Sequence, residues 1–107
     1  MLTLKFSPGI RGLRKAFTVR AVVEKGHLWL VEQDAGEAIG WHPDTSRHRR
    51  QEALTGDEWG YSLIPTKRGQ VAMVVVSREA LGGLLARTRE RQARIFKVWL
   101  ENIPTHA

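Results

Sequence analysis

From Phe17 to Trp41 the chain carries a pattern that few folds accommodate: an alternating run, a Lys-Gly pair, an almost unbroken apolar run, and then a helical one. In the first run Phe17, Val19, Ala21 and Val23 fall on one face. Thr18, Arg20 and Glu24 fall on the other, with Val22 as the apolar exception. A period of two predicts a strand. Lys25-Gly26 predicts a tight hairpin turn, with the glycine supplying the positive φ that such a turn needs. The returning run His27-Leu28-Trp29-Leu30-Val31 is nearly all apolar, which predicts a strand buried on both faces. Asp34 then stands where an N-cap would, its carboxylate facing the first free backbone N–H groups of a helix. Ala35, Ala38 and Ile39 give that helix an apolar stripe, and Gly40 ends it.

A second hairpin follows. Glu58–Ile64 and Gln70–Val76 are its strands, joined through Pro65-Thr66-Lys67-Arg68-Gly69. The β-branched run Val71–Val76 predicts a central strand. Between the hairpins, Pro43 and the Asp44-Thr45-Ser46 run are helix-start signals, with Asp44 or Thr45 as the cap. That helix has only Ala53 and Leu54 as apolar residues, which places it on the surface. Ser77 predicts an N-cap for a helix from Arg78, weakened by about 1 kcal/mol for each of Gly82 and Gly83. Thr88 restarts a helix that runs to about Asn102 and stops before Pro104. Gln92, Ile95, Phe96, Trp99, Leu100 and Ile103 share one broad face of it. Arg87, Arg91, Arg94 and Lys97 share the other, partly neutralised by the pairs Glu90–Arg94 and Lys97–Glu101. The fold expected is α+β: a small antiparallel, hairpin-rich sheet packed with about three to four helices. Trp29, Val31, Val74, Phe96 and Trp99 are expected in one apolar cluster, with Trp59 at the surface.

At 107 residues the chain is one domain at most. Residues 1–16 read as an N-terminal basic strand/loop extension, 17–104 as the domain and 105–107 as a tail. In the extension Leu2, Leu4 and Phe6 alternate as a short strand until Ser7-Pro8-Gly9 breaks it. Arg11, Arg14 and Lys15 then form either a basic arm for a phosphate backbone or a solvated loop. There is no cysteine, and so no disulfide framework and no thiolate chemistry. The longest apolar run, Val71–Val76, is far shorter than the roughly 20 residues of a membrane span. No signal-peptide pattern opens the chain, and a cytoplasmic location is expected. His27, His42, His48 and His106 show no metal-ligand spacing. No nucleophile-elbow pattern and no phosphate loop is present. The expectation is a non-catalytic protein without metal or cofactor.

Charge gives the positive lead. Seventeen Lys and Arg stand against eleven Asp and Glu, for a net charge of +6. Such a balance favours an anionic partner, with nucleic acid first among them. The run Arg47-His48-Arg49-Arg50 has little role in a core and is the first contact candidate; a solvated polar segment is the other reading. Lys67 and Arg68, at a hairpin tip, are the second candidate, and there a groove-reading ribbon and a merely solubilised tip fit equally. A homodimer is expected, because specific DNA binding commonly uses symmetric pairs.

Three stretches also carry a family likeness. Val19-Arg20, Val22, Gly26, Trp29, Val31, Asp34-Ala35, Ala38 and Gly40-Trp41 resemble the opening motif of the BRO-N domain, found at the start of phage antirepressors and baculovirus BRO proteins. Gly69-Gln70, the apolar strand after it and Ser77 fit the middle of that pattern. Arg91-Gln92-Ala93-Arg94-Ile95-Phe96-Lys97-Val98-Trp99-Leu100 with Ile103-Pro104 resembles its close. Leu30 stands where the family usually has Phe. The likeness spans roughly Phe17 to Pro104. It implies a DNA-binding regulatory domain of phage type. The alternative, an inhibitor that binds and blocks a host or phage protein, stays open beside it.

Overall fold

The computed structural model describes residues 1–9 and 15–104. In chain order these form β1 (Leu2–Phe6), β2 (Phe17–Glu24), β3 (His27–Val31), α1 (Glu32–Ile39), α2 (Pro43–Ala53), β4 (Trp59–Thr66), β5 (Gly69–Ser77), α3 (Arg78–Leu85) and α4 (Arg91–Glu101). The strands build one antiparallel sheet in the order β1-β2-β3-β5-β4, so the class is α+β. Two short turns set its register. Lys25 and Gly26 both take positive φ, 52° and 79°, as a two-residue hairpin requires. At the other hairpin Gly69 takes φ 100°, and Lys67 and Arg68 form the tip.

Alternation along the strands then divides the apolar residues between two faces. Trp59, Val76, Leu30, Ala21 and Leu2 lie in one row across all five strands. The helices pack on this face. Phe6, Phe17, Val19, Leu28 and Leu30 meet Ile39, Leu81, Leu85, Phe96 and Leu100 there. The opposite face carries a smaller cluster of Val31, Ile64 and Val75, flanked by Val22, Trp29 and Met73. This corrects the single cluster expected from sequence. Val74, Phe96 and Trp99 share the helical side, but Trp29 and Val31 belong to the other. An odd-numbered residue of β3 cannot reach the face its even-numbered neighbours occupy.

β1 is part of this sheet rather than an appendage to it. It pairs with β2 along its whole length, and Phe6 is buried. The Phe6 ring lies 5.0 Å from Phe96 in an edge-to-face arrangement and 5.3 Å from Trp99. Such aromatic contacts tie the first strand to the last helix. The proposed arm residues Arg11 and Arg14 lie outside the described residues, as does the tail 105–107.

Several helix ends differ from expectation. α1 begins directly after β3, with no side-chain cap, and Asp34 sits inside its first turn instead of capping it. Gly40 does end α1, at φ 90°, with its N–H on the carbonyls of Gly36 and Glu37. α2 is capped by His42, whose Nδ1 accepts from the Asp44 N–H at 3.1 Å. Ser77 caps α3 as expected, its Oγ accepting from Ala80 N–H. α4 starts at Arg91, later than a restart at Thr88 would give. Gln92 Nε2 donates to the Ala38 carbonyl at 2.5 Å and so fastens α4 to α1.

Helices α1 and α2 approach closely at Gly36. A Cβ there would stand 2.5 Å from Ser46 Oγ. Two outcomes are expected in denaturant unfolding. Phe96→Ala, from a fully buried site, destabilises by about 3–5 kcal/mol. Gly36→Ala destabilises by about 1–3 kcal/mol, and adding Ser46→Ala, which removes the clashing hydroxyl, restores most of that loss.

Candidate nucleic-acid interface

Consecutive residues of an α-helix are turned by about 100° from one another. The run Arg47 to Arg50 falls inside α2, so its side chains fan out around the helix instead of forming one stripe. Arg47 and His48 are exposed, and Arg47 lies 3.1 Å from Asp44. Arg49 lays its guanidinium over the Trp41 ring at 4.6 Å. Arg50 is 5% exposed. Its Nε donates to Glu32 Oε1 at 2.6 Å, and its guanidinium stacks on Trp59 at 4.2 Å. Arg50 is therefore a structural residue that joins α2 to α1 and β4, and the expectation that it contacts phosphate is corrected. Trp59, expected at the surface, is half-buried beneath it.

Other arginines are also used internally. Arg20 forms a three-donor contact with Asp34. Arg78, 9% exposed, donates to the Ile103 carbonyl and holds the end of α4.

The second sequence candidate is free. Lys67 and Arg68 are exposed at the tip of the β4–β5 hairpin. Thr66 Oγ1 accepts from the Arg68 N–H at 3.1 Å and donates to the Gly69 carbonyl at 2.7 Å, which fixes the tip. Among the described residues, no carboxylate lies within ion-pairing distance of either cation.

Among the described residues, four exposed arginines gather elsewhere, at the turn between α3 and α4. Arg87, Arg89, Arg91 and Arg94 are all exposed. A shallow groove of about 790 Å³ runs along this corner, lined by Arg89, Arg91, Arg94 and Lys97 beside Thr88 and Ile95. Of these cations only Lys97 has a carboxylate partner among the described residues, Glu101 at 2.9 Å. The expected Glu90–Arg94 side-chain pair does not form; their link is the helical backbone bond. This face therefore keeps more free charge than the sequence implied. Arg89 belongs to this surface without being part of any helical charge pattern in the sequence. The signal was present in the alternation Arg87, Arg89, Arg91 through a non-helical connection.

A second groove, of about 630 Å³, lies between the β4–β5 hairpin and helices α1 and α2. Its lining mixes Tyr61, Ala72 and Val74 with Glu37, Asp44 and Arg47, and so lacks the single sign of charge that a phosphate backbone selects. Among the described residues no three His, Asp or Glu side chains gather in a metal-binding group, and no helix is long and apolar enough to cross a membrane. No protein-family model, curated protein or solved structure matches this chain.

The two kinds of arginine separate in a stability measurement. Arg50→Ala strands Glu32 in a nearly buried site and is expected to cost about 3–5 kcal/mol. Arg47→Ala, at the surface, is expected to stay within about 0.5 kcal/mol. Thermal unfolding of the two variants checks both.

Proposed function

We propose that this protein is a non-catalytic DNA-binding domain of a regulatory type, in keeping with the BRO-N likeness of its sequence. Its phosphate-binding surface is centred on Arg89, Arg91 and Arg94, with Lys67 and Arg68 as a second contact. One observation carries the reading: these arginines are exposed and without carboxylate partners among the described residues, whereas Arg20, Arg50 and Arg78 are taken up inside the fold. A guanidinium that neither packs nor pairs contributes little to stability but retains its full attraction for an anion. The groove along α4 gives those charges a common direction.

A second reading, an inhibitor that binds and blocks another protein, is favoured by the hairpin instead. Tyr61 and Leu63 are 70% and 61% exposed on its helix-side face. Exposed apolar side chains grouped together favour a protein partner over a phosphate backbone.

Salt dependence distinguishes the two. Each phosphate contact steepens the log–log slope of duplex DNA affinity against salt by about 0.9. The triple variant Arg89→Ala, Arg91→Ala, Arg94→Ala is expected to flatten that slope by up to about 2.7 and to remain folded. Lys67→Ala with Arg68→Ala is expected to flatten it by up to about 1.8, and Arg47→Ala to leave it nearly unchanged. An unaltered slope in the folded triple variant would remove the α3–α4 corner from the interface. Absence of DNA binding by the parent at low salt would favour the protein-blocking reading.

A further inference from the structure

We propose that the open edge of β5, from Gly69 to Val74, receives an extended segment of another protein as an added strand, with the segment's acidic end meeting Lys67 and Arg68. The geometry begins with a mismatch of strand lengths. β5 pairs with β3 only at Val75, Val76 and Ser77. On its other side it pairs with β4 all the way to the tip. Six residues of β5, about 20 Å of strand, therefore continue past the end of β3. No strand among the described residues lies beside this edge. Alternate residues along such an edge present unpaired N–H and C=O groups, which template another strand.

The groove described above lies along this edge and extends onto the helix-side face of the hairpin at Tyr61. It is lined by four consecutive residues, Val71, Ala72, Met73 and Val74. Neighbouring residues of a strand point to opposite faces. A cavity in contact with all four is consistent with a groove that follows the backbone of β5. Tyr61 extends one wall, and the start of α1 forms the other. An added strand would place its alternate side chains against Ala72, Val74 and Tyr61 on one side, and against Val71 and Met73 on the other.

Direction and charge specify the occupant. A strand antiparallel to β5 continues the line of β3 and runs toward the hairpin tip. Its C-terminal end then arrives at Lys67 and Arg68, which have no carboxylate partner among the described residues. The acids of the helical wall are already engaged: Glu32 with Arg50, Asp44 with Arg47, and Glu37 with Lys15 at 3.6 Å. The fitting partner is a short, extended, apolar segment with acidic residues at its C-terminal end.

The test is amide NMR and hydrogen exchange on the intact chain. The probe is a synthetic heptapeptide that alternates valine and threonine and ends in two glutamates. Binding is expected to shift and protect alternate amides between Gly69 and Val74. The double variant Lys67→Glu, Arg68→Glu is expected to bind this peptide about fivefold more weakly, and to prefer the same peptide ending in two lysines. No saturable shift up to about 1 mM peptide would overturn the proposal, since even a weak specific site is seen in that range. Shifts confined to other residues, or affinity indifferent to the charge at the peptide's end, would also overturn it. So would a DNA duplex that shifts and protects the amides from Val71 to Val74, beyond the Lys67-Arg68 tip, which would assign the groove to nucleic acid. The arginines of the α3–α4 corner are untouched in this experiment, so its failure leaves the DNA-binding reading standing.

Discussion

The corner at which β3 becomes α1 depends on one carboxylate. Asp34 accepts three hydrogen bonds from a single residue: Arg20 N–H at 2.9 Å, its Nε at 2.8 Å and its Nη2 at 2.9 Å. β3 ends at Val31, where the chain turns out of the sheet into a helix. The Arg20 N–H of β2, which faces that departure, is met by the Asp34 side chain. A buried N–H left unpaired would cost about 1–3 kcal/mol. The guanidinium completes the arrangement and neutralises a carboxylate that is 8% exposed. The hydrogen bonds and charge of Asp34 hold the Arg20 guanidinium above its already high ordinary pKa, so the pair keeps both charges wherever Asp34 is ionised. Its place in the first turn of α1 adds the favourable meeting of an anion with a helix N-terminus.

One turn of helix holds the two ion pairs that join α1 to α2 and to β2. Glu32 receives Arg50 from α2 on one side, and Asp34 receives Arg20 from β2 on the other. The stack of Arg50 on Trp59 then carries the connection on to β4. A charged bridge suits α2 because that helix has almost no apolar surface to bury: among its own residues only Ser46 and Arg50 are buried. An arginine can do this where a lysine cannot, since its planar group pairs with a carboxylate at its edge and stacks on an indole with its face. The positive charge of the chain is thus of two kinds. Part of it fastens polar helices to the sheet, and among the described residues another part is left exposed at the α3–α4 corner and the hairpin tip.

Much of the architecture was legible in the sequence because it rests on local rules. The alternation of Phe17, Val19 and Ala21, the Lys25-Gly26 turn, the Gly40 helix end and the Ser77 cap all follow from neighbours within a few residues. What escaped depends on residues brought together from far apart. Asp34 has the composition of a cap, and only the position of Arg20 shows that it is a strand partner. Arg50 looks like one member of a basic run until helical phase and the placement of Glu32 and Trp59 set it inside. Trp29 and Val31 lie in a different cluster from Val74 and Phe96, because hydrophobicity marks burial but not which face of a sheet is buried. Glu90 stands at the right spacing for Arg94, yet among the described residues no carboxylate pairs with that guanidinium.

The short β3 connects these features. Had it continued beside β5 to the hairpin tip, the sheet would have closed around the second hairpin and Asp34 would have had no N–H to receive. Because it stops at Val31, the chain needs a carboxylate at the corner, and the first turn of α1 supplies it. The same early stop leaves six residues of β5 without a strand on that side among the described residues. Native sheets usually blunt such an edge with charge or proline. Here Lys67 and Arg68 mark its end, and Pro65 lies across the hairpin on β4, paired with Gln70. Along Val71 to Val74, however, every side chain is apolar. The interaction that secures α1 to the sheet and the opening beside β5 are two consequences of one strand being shorter than its neighbour.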